Sequence, residues 1–258
     1  MVKTPFRYGI GYSSEELKRH LMNILSLSCA WRNLVLANYR IDPKVLAPYL
    51  PRHTALDLYQ DECLISIVGF LFLDVKVLGI PWPFHQKFEE FNLRFYVTHR
   101  HGKEIRRGVV FLSEFVPNRG FTVVANAFAR EKYRRYPTRH SIHSEGQQIS
   151  AAYEFQVKDH WNSLSATAEA QEQKIIPGSL EDFIAEHYYG YNRWYGNRTL
   201  ELELKRPAWK YQKLLSYKVD CKCEDFYPKE FVPILYEEPH SVRIVSGSAV
   251  DMLPSRIF

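Results

Sequence analysis

Phe88-Glu89-Glu90-Phe91-Asn92-Leu93-Arg94-Phe95-Tyr96-Val97 is the stretch that decides how this chain folds. From Glu90 onward polar and apolar residues alternate, the period of a β-strand. Glu90, Asn92, Arg94 and Tyr96 therefore share one face, and Phe91, Leu93, Phe95 and Val97 the other. Two environments suit the polar face. It is the wetted side of an amphipathic strand, or it lines a cavity. A solvent-facing strand usually carries Lys, Thr and Ser, whereas an acid, an amide, a guanidinium and a phenol in succession suit an interior. The pattern alone leaves both open.

Outward from this strand the reading continues mostly as β. Trp31 to Ile41 is strand-like, Asp42-Pro43 opens a short helix over Lys44 to Tyr49, and that helix stops before Pro51. Ala55 to Tyr59 and Cys63 to Val77 read as a hairpin turning at Gln60-Asp61, the second run apolar enough for a buried strand. A turn at His101-Gly102-Lys103 precedes a strand from Arg107 to Val116. Phe121 to Glu131 reads as a helix. Gln148 to Lys158 and Trp161 to Gln171 alternate cleanly and meet at Asp159-His160. Ser179, with Asp182, caps a helix running to about Tyr189. Leu200 to Lys205, Lys210 to Cys221 and Val242 to Val245 are further strands. No repeat or linker interrupts them. The prediction is a single α+β domain, mainly antiparallel β, over residues 31–258. Closure into a barrel would remove its exposed edges.

Composition narrows the function classes. The 258 residues carry 34 Lys+Arg against 29 Asp+Glu, a net +5 that is too mild for a nucleic-acid signature. Cys29, Cys63, Cys221 and Cys223 form no repeated CxxC, so neither a zinc site nor a disulfide framework is indicated. Lys18-Arg19-His20 ahead of Leu21 to Ala30 mimics a secretion signal, but Asn23 interrupts it. Ser13 with Glu16 makes a capping box, and Leu17, Leu21, Ile24 and Leu25 repeat at helical spacing. Residues 1–30 therefore read as an N-terminal helical extension. No apolar run reaches membrane-spanning length, and the reading is a soluble, cytoplasmic protein.

Several segments in order resemble an uncharacterised bacterial family of unknown function, the YqjF-like proteins. They are Trp31 with Asn33-Leu34, Leu46 through Pro51, Glu90 through Val97, Gly108 through Leu112, Ala129-Arg130, Leu180 through Phe183 leading to Tyr188, and Arg206-Pro207-Ala208-Trp209. That family is distantly similar to acetoacetate decarboxylase, which implies a closed, cone-like antiparallel β barrel around a central cavity. By the same resemblance, Asn38 through Asp42 matches the enzyme's Tyr-Arg-Thr-Asp segment. Arg32 falls where the enzyme has an active-site arginine, Glu90 where it has a catalytic glutamate, and Arg130-Glu131 with Tyr136-Pro137 in its Gly-Arg-Glu…Tyr-Pro stretch. Thr138 and Arg139 stand where the decarboxylase has two lysines. A hydroxyl cannot form an imine and a guanidinium stays protonated, so Schiff-base chemistry is not expected. The enzyme's second acidic residue has no counterpart in Leu64 to Leu73.

The resulting expectation is a cavity binding a small organic anion or carbonyl metabolite, with no metal and no cofactor. Arg32, Asn92, Arg94, Tyr96, Arg130, Thr138 and Arg139 are the candidate ligand-binding residues, and Glu90 is the candidate general base. Two alternatives stand beside it. One is an acid-base enzyme of lyase or hydrolase type using Glu90. The other is a non-enzymatic interaction module using the basic Arg130 to Arg139 surface, where nucleic acid is an unfavoured partner. His99 with His101 and His140 with His143 read as exposed rather than metal-binding. Tyr188, Tyr189, Tyr191, Trp194 and Tyr195 read as a cavity lid or as packing. The resemblance also implies a homo-oligomer.

Overall fold

The computed structural model describes residues 26–129 and 132–258. Of the predicted helical extension over residues 1–30, residues 1–25 lie outside the described residues, as does the candidate Arg130, while Leu27 to Ala30 belong to the first strand instead. The strands are β1 (Leu27–Ile41), β2 (Thr54–Leu56), β3 (Cys63–Val77), β4 (Ile80–Pro81), β5 (Lys87–His101), β6 (Glu104–Val116), β7 (Tyr133–Arg135) and β8 (Thr138–Glu145). They continue with β9 (Gln148–Val157), β10 (His160–Lys174), β11 (Tyr189–Trp194), β12 (Arg198–Lys205), β13 (Lys210–Asp220), β14 (Ser241–Met252) and β15 (Arg256–Ile257). Among the described residues four short α-helices accompany them, α1 (Pro43–Leu46), α2 (Arg119–Ala129), α3 (Leu180–Ala185) and α4 (Val232–Leu235).

The described strands join one mostly antiparallel sheet whose main path runs β15-β12-β11-β6-β5-β3-β1-β14-β13-β10-β9-β8, with β2 paired to β5, β4 to β3 and β7 to β6. A further pairing of β12 with β14 leads the sheet back on itself. This circuit is uneven. The β6–β11 link consists of Tyr189↔Gly108 and Gly190↔Val109, and the β12–β14 link of Leu204↔Met252 and Lys205↔Asp251. The sheet thus curls round without forming the regular closed barrel expected. The reason is local: β11 and β12 are short, so little of either reaches its neighbour. Among the described residues no helix is long and apolar enough to cross a membrane.

β5 lies at the centre with both faces covered. Phe91, Leu93, Phe95 and Val97 pack with Val35 and Ile67 against Tyr153 and Phe155 of β9 and Leu164 of β10, where the far end of the sheet folds over. Behind β5, Trp31, Leu34, Phe70, Phe72, Phe88 and Phe121 form a second cluster. Rings such as Phe72 and Phe88, stacked with centroids 4.8 Å apart, bind β3, β5 and α2 together. A strand clad on both sides cannot present its polar residues to bulk water.

Two β-bulges set which side chains turn inward. In β1, the register with β3 jumps from Arg32↔Leu71 to Val35↔Gly69, with Asn33 at φ 53°; Trp31 and Leu34 consequently face the same cluster. In the partner strand β14, Gly247 has φ 75°, and a Cβ there would stand 2.1 Å from the Trp31 carbonyl oxygen. In β6, the register with β5 jumps from Leu93↔Ser113 to Arg94↔Phe111, leaving Leu112 as the extra residue. Phe111 and Glu114 therefore share a face that simple alternation would deny them.

The predicted hairpin of Ala55–Tyr59 with Cys63–Val77 does not form. Gln60 and Asp61 do turn the chain, with Tyr59 and Glu62 bridged, but β2 pairs with β5 instead. β3 stops pairing with β5 at Phe95, and β2 continues the same edge from Val97. α3 ends at Ala185, not near Tyr189, because its last carbonyls are taken by arginines: Ile184 O by Arg94 at 3.1 Å and Ala185 O by Arg206.

Candidate functional site

Between the β5–β6 wall and the β12–β14 seam lies a cavity of about 160 Å³, roughly ten times what one water needs. Its polar lining comes chiefly from β5, which contributes Glu90, Asn92 and Arg94, and from β6, which contributes Glu114; Tyr133 of β7 joins them. Each of the four from β5 and β6 is buried. Asn92 and Glu114 are register partners, which brings the amide beside the second carboxylate.

The hydrogen bonds of this wall are specific. Tyr133 Oη donates to Glu90 Oε2 at 2.7 Å, and Asn92 Nδ2 donates to Glu90 Oε1 at 3.0 Å. Tyr133 is itself held by α2: Asn126 Nδ2 donates to its carbonyl at 2.8 Å, and its N–H donates to Asn126 Oδ1 at 2.9 Å. Glu114 accepts from the Lys132 backbone N–H at 3.2 Å. The Arg94 guanidinium lies 5.7 Å from the Tyr96 ring centroid and donates through Nη2 to Ile184 O. Among the described residues no carboxylate pairs with Arg94, and its buried Nε has no partner. The buried Asn92 Oδ1 and Trp31 Nε1, on two other lining residues, lack partners as well. A buried charge without an opposite charge is costly, and three unmatched polar atoms around one hollow mark it as a place for polar contact. Burial and then the nearby Glu90 push the Cys29 thiol up, so it stays protonated.

Behind Arg94 lies a second polar network, in which His187 Nδ1 has no partner. Tyr96 does not line the cavity; its hydroxyl meets Ser66 Oγ at 2.7 Å, and Ser66 Oγ donates to Asn38 Oδ1 at 2.6 Å. His187, 4.8 Å from the Tyr96 ring, shares Asp57 with Arg107, with His187 Nε2 at 3.0 Å and Arg107 Nε at 2.8 Å. These contacts fix the floor on which Arg94 rests.

The remaining predicted site residues lie elsewhere. Arg32 is half-buried and donates through Nη1 to the Trp31 carbonyl at 3.0 Å, away from the lining. Thr138 donates to Glu89 Oε2 at 2.5 Å, and Glu89 alternates with Glu90, so this contact is on the opposite face of β5. His140 also bonds Glu89. Burial would raise the Glu89 carboxyl, but hydrogen bonds from Thr138 and His140 hold it below the usual range. Arg139 is exposed, clasps Glu154 at 2.6 and 2.9 Å and covers Trp161. β8 pairs only with β9 at the far end of the sheet, which explains why these residues miss the cavity. His99, read as exposed, is buried and stacked on Phe258. Among the described residues no group of three or more potential metal ligands converges. Tyr191 and Trp194 are core residues.

Glu114, Tyr133 and Asn126 were not singled out from sequence. Glu114 had a signal, a lone carboxylate inside the apolar run Val109 to Val116, but its inward direction depends on the Leu112 bulge. Tyr133 stood within a basic run and read as surface.

A family model described as DUF2071, uncharacterized conserved protein, matches residues 28–249. The chain belongs to this family. Among curated proteins, the uncharacterized protein YqjF of Bacillus subtilis is 29% identical over 104 residues. That match spans 40% of this chain and 41% of YqjF, less than half of either. Among solved structures, acetoacetate decarboxylase from Legionella pneumophila superposes with a TM-score of 0.57 at 12% identity, covering 90% of this chain and 86% of that one. An acetoacetate decarboxylase-like enzyme from Sphingomonas wittichii gives 0.61 at 10%, covering 92% and 93%. The enduracididine biosynthesis enzyme MppR gives 0.57 at 10%, covering 90% and 88%. At such identities the likeness is one of fold. This DUF2071 chain is mostly an antiparallel sheet of the acetoacetate decarboxylase type.

Proposed function

We propose that the cavity binds a small organic anion or carbonyl metabolite, with Arg94 and Asn92 receiving its polar group and no Schiff base formed. The observation that carries this reading is Arg94: buried, lining the hollow, bonded to a carbonyl and to no carboxylate among the described residues. An arginine so placed offers charge-assisted, directional donors to a carboxylate. Among the described lining residues there is no lysine, and Thr138 and Arg139 face away, which supports binding without an imine. MppR, of similar fold, is described in complex with pyruvate, a ligand of the proposed class.

A second reading, acid-base catalysis by Glu90, is favoured by the Tyr133 hydroxyl at 2.7 Å from its carboxylate and by the second acid, Glu114, in the same hollow. The interaction-module reading loses support. Arg134 donates to Ser113 and Phe226 O, Arg135 to Pro117 O, and Arg139 to Glu154, so these cations serve the fold.

Thermal-shift screening of keto acids, phosphates and sugar acids tests the proposal on the wild type, Arg94→Gln and Glu90→Gln. Carboxylates are expected to raise the wild-type Tm, to lose that effect in Arg94→Gln, and to keep it in Glu90→Gln. If no compound stabilises the folded wild type, the binding reading is wrong. Catalysis by Glu90 requires in addition that Glu90→Gln bind a ligand it no longer converts.

A further inference from the structure

Resting on that binding reading, we infer that the ligand is an amphipathic carboxylic acid with a hydrocarbon body of several carbons, held by its carboxylate at Arg94.

The walls of the cavity differ in kind. Polar side chains are concentrated on the β5–β6 wall. The seam opposite presents Leu202, Leu204, Met252 and Leu253. Hydroxyl or phosphate groups directed at that seam would exchange water mostly for aliphatic carbon, with the Ser255 hydroxyl the one polar side chain beside those four in the described lining, and would lose affinity. A hydrocarbon body gains there instead. Beyond Glu90 the lining becomes aromatic, with Trp31, Phe70, Phe72 and Phe121 in edge or tilted contact.

Position along β5 orients the ligand. Glu90 and Arg94 are four residues apart on one face, about 13 Å at strand rise. Arg94, beyond Asn92, is the one cationic side chain among the described lining residues and attracts an anion. The carboxylate therefore sits at Arg94. The body runs back past Asn92 toward the aromatic part, where Trp82, Val77 and Val124 also line the hollow.

The surroundings of that part point to the same chemistry. Within one or two residues of Val77, Trp82 and Val124 stand exposed apolar side chains: Leu78 (53% exposed), Ile80 (69%), Phe84 (99%) and Val123 (62%). These side chains would favour approach of a greasy molecule over a small, strongly hydrated one.

Calorimetric titration of the full chain with acetate, pyruvate, butanoate, hexanoate, octanoate and hexan-1-ol tests the inference. Kd is expected to fall about fourfold for each methylene added, until the cavity is filled. Hexanoate should thus bind about sixteenfold tighter than butanoate, and hexan-1-ol at least tenfold weaker than hexanoate. Leu202→Asn, on the seam, should weaken hexanoate by a larger factor than acetate. Should that variant fail to fold, the chain-length series on the wild type still decides. If acetate or pyruvate binds as tightly as hexanoate, the hydrocarbon body is refuted while the anion-binding reading survives. If hexan-1-ol matches hexanoate, the carboxylate contact with Arg94 is refuted. If none of the acids binds, the parent reading falls with it.

Discussion

His187 is enclosed between the rings of Tyr96 and Phe183, with Asp57 on Nε2 and the guanidinium groups of Arg107 and Arg94 nearby. Burial first, and then those two cations, outweigh the Asp57 contact and lower its pKa from 6.5 to about 4. In the folded protein at pH 7 the ring is therefore neutral and donates its Nε2 proton to Asp57. The unfolded chain takes up a proton on this histidine below about 6.5, the folded one only below about 4. Stability from this difference is complete above 6.5 and is lost as pH falls toward 4. At about 1.4 kcal/mol per pH unit the full loss is about 3 kcal/mol, with about 2 kcal/mol gone by pH 5. Asp57 does not obscure this window. Burial alone would raise its carboxyl, but hydrogen bonds from His187 and Arg107 hold it below 3.8, so its own loss comes at lower pH. Urea unfolding of the wild type and His187→Gln at pH 7, 6, 5 and 4.5 measures the effect, since Gln keeps a donor for Asp57 and does not titrate. The wild type should lose about 2 kcal/mol more than the variant between pH 7 and 5. Parallel stability curves for the two proteins would refute the reasoning.

Arg106 and Glu201 form a buried pair at 2.7 Å, with Tyr191 Oη also on Glu201. Arg106→Leu, which strands the carboxylate, should cost about 3–5 kcal/mol in denaturant unfolding. Gly247→Ala and Gly79→Ala form a matched pair with φ 75° and 78°. Gly79 has open space and should lose only about 1 kcal/mol. At Gly247 the added Cβ meets the Trp31 carbonyl, and the loss should exceed about 3 kcal/mol or prevent folding; equal melting temperatures would contradict the bulge geometry. Borohydride with acetoacetate should leave the intact mass unchanged, and a reduced adduct mapped to the cavity would overturn the argument from Thr138 and Arg139.

The two faces of β5 were legible because alternation is a local property and the chain from Glu90 to Val97 obeys it without interruption. Long strands such as β3, β9 and β10 were legible for the same reason, together with the Ser179 cap. What escaped reading depends on partners distant in sequence. β8 carries His140, His143 and Arg139 and reads from sequence as either strand or loop until β9 pairs with it. Arg139 looked like a cavity residue by position in a motif, but the path of β8 carries it to Glu154 on the far layer. Glu114 depended on a one-residue bulge, which composition does not reveal. α3 was drawn too long because nothing near it in sequence shows that Arg94 and Arg206 will cap its last turn.

The extra residue in β6 also decides where this chain tolerates a change of length. Losing Leu112 would iron the strand into plain alternation with Phe111 and Glu114 still turned inward. Losing Val110 instead would invert the segment before it and swing Val109 off the inner wall. Shortening the gene by one codon is thus harmless to the site's handedness at one position and turns it inside out two positions earlier.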